Sequence, residues 1–189
     1  MSRFVVSDHH FGHANIIEYC DRPFNSPGEM DTVMLNRHFE VVSTDDVVIH
    51  LGDVAMDMQD GRETVERMDA LGGDLLVQGN HDVGLSDGQA PFPVVDSCVL
   101  SHNGYTFYCT HRPEHGPDNW DGWVLHGHHH NNDLQQYPLI NSERKRVNVG
   151  VDLLNFRPIS LTTITSILDA CPPDSHLTDI DAVTDELDV

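Results

Sequence analysis

Lysine is almost absent from this chain. Lys145 is the only one in 189 residues, the other nine basic residues are arginines, and against 31 acids the formal net charge is −21. So little positive charge argues against tight binding of a nucleic-acid backbone at low salt, which depends on basic side chains displacing counterions. No apolar run approaches the ~20 residues that a membrane-spanning helix needs. The first residues pass directly into Arg3-Phe4-Val5-Val6 without a signal-peptide layout, so a cytoplasmic location is the expectation. The four cysteines (Cys20, Cys98, Cys109, Cys171) are scattered and form no C-x-x-C pair. That spacing speaks against a structural zinc site or a redox motif and for reduced, mostly buried thiols. Dense acid with scarce lysine also fits adaptation to multimolar salt, where the Debye length falls to ~3 Å and surface acids cease to repel one another strongly.

The length suits one domain with a sizeable core. Up to residue 80 the pattern alternates between strand and helix: strands over 3–7, 46–50 and 74–78, helices over 14–20, 29–42 and 61–71. This order predicts a parallel α/β portion. The character then changes to closely spaced strands over 94–100, 105–109, 123–126 and 146–149, with Asn103-Gly104 as a hairpin signal. Ser160 is placed to cap a last helix carrying Leu161, Ile164, Ile167 and Leu168. Residues 1–171 therefore read as one domain. Residues 172–189 read as an acidic tail; 174–189 hold six acids and no lysine or arginine, a composition compatible with disorder.

What the chain does have is five polar clusters, each just after a strand-like apolar run. They are Asp8-His9-His10, Gly52-Asp53, Gly79-Asn80-His81-Asp82, Thr110-His111 and Gly127-His128-His129-His130. Each has a plain alternative taken singly: a helix cap for Asp8, turn residues for Asp53 and Asn80, a structural His111, a surface histidine tract at 128–130. Together they suggest one site at the carboxyl edge of a sheet. In an extended segment His128 and His130 face one way and His129 the other, so His129 is the residue of that tract not expected at a metal.

The ordered set resembles the calcineurin-like metallophosphoesterase family, whose pattern is D-x-H, G-D, G-N-H-D/E, a lone His and G-H-x-H. Asn148-Val149-Gly150-Val151-Asp152 and Pro158-Ile159-Ser160-Leu161 also look like its small microbial members. The resemblance implies a four-layer α-β-β-α sandwich of two mixed sheets, and a site for two divalent cations. Such a pair, about 3.5–4 Å apart, neutralises phosphoryl oxygens and activates water near neutral pH. Carried over, Asp8, His10 and His130 are ligands of the first metal. Asn80, His111 and His128 belong to the second, and Asp53 bridges the two. His81 is the general acid and Asp82 orients it. Met56 stands where purple acid phosphatases carry a tyrosine, which argues against a tyrosinate–iron(III) centre. Oxygen and imidazole donors without thiolate suit Mn²⁺ first, with Zn²⁺, Ni²⁺, Co²⁺ or Fe²⁺ as alternatives.

Arg112, His13 and Arg22 are further candidates for substrate contact, against the alternative of salt bridges or solvated surface. His9, His50, His102, His115 and His126 match no ligand position. The short spacings between Asp82, His111 and His128 leave little room for a cap, so an open site is expected, suited to a phosphodiester of a nucleotide or nucleic acid. The competing reading is a non-catalytic interaction scaffold of the same fold. Self-association is compatible with the resemblance, but no surface patch in the sequence marks an interface.

Overall fold

The computed structural model describes residues 1–56, 60–85 and 90–187. In chain order it contains β1 (Arg3–Val6), α1 (Ala14–Tyr19), α2 (Pro27–Phe39), β2 (Val47–His50), α3 (Arg62–Ala70), β3 (Gly73–Val77) and β4 (Val94–Val95). There follow β5 (Ser97–His102), β6 (Tyr105–Thr110), β7 (Trp123–His126), β8 (Ile140–Asn141), β9 (Arg146–Asn148), β10 (Ile159–Ser160), α4 (Leu161–Ala170), β11 (His176–Leu177) and α5 (Ile180–Leu187). One sheet has the order β10-β1-β2-β3-β4 and the other β11-β8-β9-β7-β6-β5. Both are mixed: β1, β2, β3 and β4 run parallel, as do β6, β7 and β9, while β10, β5, β8 and β11 pair antiparallel. The expected α/β fold of two mixed sheets is the one that forms.

Strand alternation explains how the layers join. Val5, Ile49 and Val77 face the second sheet and pack with Phe107, Leu125, Ile140 and Val147. Val6 and Leu76 point to the opposite face and pack with Ile16 of α1, Met30 and Met34 of α2, and Met68 of α3. A strand buried on both faces reads as a continuous apolar run, as Val47-Val48-Ile49 does. Truncating one of the fully buried methionines to alanine costs about 2–5 kcal/mol.

Three boundaries differ from the sequence reading. α2 begins two residues earlier and ends three residues earlier than the expected 29–42; it starts early because Pro27 fits the first helical turn and the Ser26 hydroxyl accepts from the Glu29 amide at 3.2 Å. The strand expected over 94–100 is two strands: the chain leaves the first sheet after Val95, bends at Asp96 and enters the second at Ser97. The segment after residue 171 is no free tail in its described part. β11 pairs with β8, and Leu177 and Val183 are buried in the inter-sheet core. Its apolar residues, few as they are, fall where they can be covered, and its acids remain outside. Residues 188–189 of that expected tail lie outside the described residues. The other local signals match the structure. Ser160 accepts from the Thr163 amide at 2.9 Å, and Asn103 and Gly104 both take positive φ in the β5–β6 hairpin.

Candidate metal centre

The five clusters leave the carboxyl ends of β1, β2, β3, β6 and β7. Parallel pairing within each sheet puts those ends at one edge. The loops turn sharply there. Asp8, His10, Asp53, His128 and His130 all have φ between 49° and 74°, which makes five of the ten non-glycine residues with positive φ among the described residues. For side chains other than glycine this region is strained, and such strain persists only where the surroundings enforce it. The enforcement is visible at Gly79 and Gly127. A Cβ on the first would overlap Asp53, and on the second Ser7 and Asp8.

Asp53 is the hub. Its Oδ1 accepts from the His81 amide at 2.8 Å. Its Oδ2 lies 3.5 Å from His10 Nε2, 3.3 Å from His111 Nε2 and 4.0 Å from His81 Nε2. Around it the donors form overlapping groups, Asp8–His10–His130, His10–Asp53–His81 and Asp53–His111–His128, with atoms in each within 4.8 Å of one another. The His128 amide donates to both oxygens of Asp8, at 3.1 and 2.9 Å. His111 Nδ1 meets the Leu51 carbonyl at 2.8 Å, which makes it the donor and leaves Nε2 facing Asp53 and Asn80 Oδ1. Both nitrogens of buried His10 lack a hydrogen-bond partner among the described residues. Converging carboxylates and imidazoles with orphaned buried nitrogens fit two divalent cations.

Electrostatics agree. Burial pushes His10 down to about 2 and His128 down to about 4, so both are neutral lone-pair donors. Burial would also lower His111 and His130, but the carboxylates overcome it. Asp53 and Asp8 hold His111 up at about 9; Asp8 and Asp152 hold His130 up at about 11. Without a cation, protons on these rings balance the acids.

Two expected roles are not what the geometry shows. Arg22 does not face substrate. All five of its donor positions are engaged below the site: Nε and Nη2 on Asp152 at 2.7 and 3.1 Å, Nη2 on the Asp8 carbonyl at 2.8 Å, and Nη1 on the His9 carbonyl at 2.7 Å and Met30 Sδ at 3.4 Å. Asp82 makes no hydrogen bond to the His81 ring, whose Nδ1 has no hydrogen-bond partner among the described residues. Its buried carboxylate accepts from the amides of Asp53, Val54 and Gly79 at 2.7, 3.0 and 2.9 Å, with the Thr64 hydroxyl at 3.4 Å, and burial raises it to about 6. It ties the Gly52-Asp53 turn to the 79–82 loop.

The structure adds Asp152, which bonds His130 Nδ1 at 2.8 Å while holding Arg22. Its sequence signal is the Asn148-Val149-Gly150-Val151-Asp152 motif, which by itself names no partner for Asp152. Cys20 also groups with His130 and Asp152. His129 points away from the centre, as expected, but not by strand alternation, since β7 ends at His126. Its ring stacks on Tyr137 with centroids 3.4 Å apart and reaches Glu114 at 3.3 Å. His9 and His50 pair beneath the Asp53 turn at 2.8 Å, and His50 Nδ1 accepts from the Gly52 amide at 3.1 Å.

A 410 Å³ cavity opens over the centre, walled by His10, His13, Tyr19, His81, His128 and His130. Asn80 also borders a second cavity of 300 Å³ shared with His111, Arg112 and Asp96, where Arg112 Nη2 lies 3.1 Å from Asn80 Oδ1. A larger cavity of 560 Å³, over Phe4, Val41 and Ile159, contains none of the clustered residues, so size does not locate the chemistry.

Comparison with known proteins agrees with this geometry. The calcineurin-like phosphoesterase family model matches residues 1–177. An uncharacterized protein of Methanocaldococcus jannaschii is 38% identical over 168 residues, covering 88% of this chain and 90% of that one. A protein of unknown function from Aquifex aeolicus has a similar solved structure, with TM-score 0.62, 25% identity, and coverage of 88% of this chain and 98% of that chain.

Proposed function

The chain belongs to the calcineurin-like phosphoesterase family, and on that premise we propose that it hydrolyses phosphodiesters of nucleotides or nucleic acid, with His81 as general acid. The observation carrying this reading is the pair of donor groups joined at Asp53 with the His81 ring beside them. In this reading Asp8, His10 and His130 hold one divalent cation, Asn80, His111 and His128 a second, and Asp53 both. When bound, the cations neutralise phosphoryl oxygens and activate water.

The protein's own residues do the rest. Arg112, on the open side of Asn80, pairs with a phosphoryl oxygen. His81 delivers a proton from Nε2 to the leaving oxygen, since its Nδ1 is buried and unpartnered. Asp82, through its three backbone bonds, keeps Asp53 and the His81 loop in register. His13 lines the cavity and contacts the departing group. The preference for a diester follows from charge. A diester carries about one negative charge and a monoester about two, and Arg112 is the one arginine or lysine lining either site cavity among the described residues. Mn²⁺ is the metal proposed, because the donors are oxygens and imidazoles. Cys20 stands outside that set, since the Asp152 oxygens it neighbours are already bonded by Arg22 and His130.

The test is hydrolysis by protein stripped with chelator and reloaded with Mn²⁺, in multimolar KCl. Bis-p-nitrophenyl phosphate should be cleaved faster than p-nitrophenyl phosphate. His81→Ala should lower turnover of a dinucleotide by about 10²–10⁴-fold, and of the p-nitrophenyl diester by less, with metal content unchanged. No hydrolysis with Mn²⁺, Zn²⁺, Ni²⁺, Co²⁺ or Fe²⁺ sinks the proposal. Equal losses on both substrates remove His81 from the acid role.

A further inference from the structure

Tyr19 is an exposed aromatic side chain on a backbone that has no freedom to hide it. The residue is 63% exposed, among the most exposed large hydrophobic side chains of the described residues. It closes α1, and the next carbonyl, that of Cys20, accepts from Asn131 Nδ2 at 2.8 Å, which ties this helix end to the loop carrying His128 and His130. Three residues on, Arg22 anchors the chain to the Asp8 and His9 carbonyls. The Tyr19 backbone therefore keeps a fixed place relative to the donor groups, and the ring is carried beside them. It meets the ring of His13 edge-on with centroids 6.3 Å apart, and His13 in turn lies 6.5 Å from the ring of His81. Ile16 and Met56 add apolar wall to the same cavity, and no lysine or arginine lines it among the described residues.

We infer that Tyr19 is the platform on which the leaving arm of the substrate stacks, and that this arm is a neutral, planar aromatic group of nucleoside type. The inference rests on the phosphodiesterase reading above and specifies which side of the diester is recognised. The proton donor and the exposed ring share one cavity, so the group that leaves is the group that stacks. The absence of a cation there disfavours a leaving arm with phosphates of its own. The retained arm lies on the far side of Asn80, in the cavity with Arg112 and Asp96. Stacking of a base on an aromatic side chain discriminates through its π-face and tolerates sequence.

Two dinucleotides test this, identical in phosphate, retained nucleoside and 5′-alkoxide leaving atom. One carries a base on the leaving sugar and the other is abasic there. The parent protein should show a lower KM for the base-bearing dinucleotide. Tyr19→Ala should raise that KM roughly ten- to a hundredfold with kcat changed less than about threefold, and leave the abasic KM unmoved. Tyr19→Phe should behave as the parent, because the ring and not the hydroxyl stacks. Equal effects of Tyr19→Ala on both dinucleotides, or a Tyr19→Phe variant as poor as Tyr19→Ala, overturns the inference. Calorimetric binding of the phosphorothioate-linked pair to Mn²⁺-loaded protein reads the same contrast without turnover. If neither dinucleotide is cleaved, the phosphodiesterase reading fails, and the calorimetric contrast between parent and Tyr19→Ala still decides Tyr19. Absence of binding to either overturns both.

Discussion

The two donor groups are built differently. Asp8, His10 and His130 are all buried, and behind them the Arg22–Asp152 ion pair is buried as well, its side chains 0% and 2% exposed. Each group there is held by a charge-assisted bond or a close-packed backbone. In the second group Asp53 and His111 are buried, but His128 is half-buried, Asn80 is exposed, and both border the cavities. Its imidazole His111 is oriented by a neutral carbonyl, that of Leu51. A ligand bonded to a buried carboxylate has its tautomer and direction set in advance. The first group is thus the more rigidly backed, although His10 and His130 also wall the 410 Å³ cavity, and the second is the more exposed.

The largest effect should come from the residue the two groups share. Asp53→Asn replaces the carboxylate proposed to hold both cations by an amide, and turnover should fall below detection with metal lost from both groups, as read by elemental analysis after gel filtration. Two tightly held metals in that variant would remove Asp53 from the bridging role. Asp152→Asn should separate the groups. It leaves the Arg22 guanidinium buried without its counter-charge, a loss of about 3–5 kcal/mol in the unfolding free energy, and weakens metal at the first group by roughly 10–100-fold. Metal at the second group should persist, giving about one cation per chain. Loss of both cations together would mean that the two pockets are one energetic unit.

Much of this arrangement was legible before any coordinates. The five clusters, their order and the strand ends that bear them follow from local pattern, because a ligand just after an apolar run is placed by that run. Asp152 was not legible in the same way. Its meaning lies in a contact 22 residues away with His130 and another 130 residues away with Arg22, and nothing local reports such contacts. The same holds for Asp82, whose neighbour in sequence suggested a partner while its carboxylate turned to the amides of Asp53 and Val54. Residues 176–177 and 183 read as an acidic tail because composition averages over a segment, whereas burial is decided by single apolar residues such as Leu177.

The protonation of the metal-free protein offers a smaller, reversible contrast. His111 and His130 are raised above the ordinary histidine value by their carboxylates, to about 9 and about 11. A raised histidine contributes stability that is fully present below its unfolded value near 6.5 and is lost as pH climbs through its folded value. Asp82, raised to about 6, is also of the kind whose contribution is lost with rising pH, but it is exhausted before that window begins. Buried histidines held low, His10 and His128 among them, work the other way, but their contribution is complete about one unit above 6.5. In chelator at fixed salt the thermal midpoint should therefore fall from about pH 7.5 to 9 by way of both groups, and keep falling above 9 by way of the first. With saturating Mn²⁺ the decline to pH 9 should vanish, because metal displaces those protons and binds more tightly as pH rises. A midpoint that rises from about pH 7.5 to 9 in chelator would contradict the assignment.

The smallest effect is expected between two ligands, at His129. His128 contributes to the open group and His130 to the buried one, so alanine at either should remove a cation. His129 shares their loop but belongs to neither, and its ring is committed to Tyr137 and Glu114 on the outer side. The positive φ at His128 and His130 turns both inward and throws the residue between them out, a geometry that belongs to the bent loop rather than to a strand. His129→Ala deletes an aromatic stack worth about 0.5–1.5 kcal/mol and a partly exposed ion pair worth less. Metal content should stay near two per chain, turnover should remain within about threefold of the parent, and the thermal midpoint should drop by a few degrees. Loss of metal as complete as in His128→Ala or His130→Ala would show that the Tyr137 stack, and not the backbone of the loop, holds the two inward histidines in place.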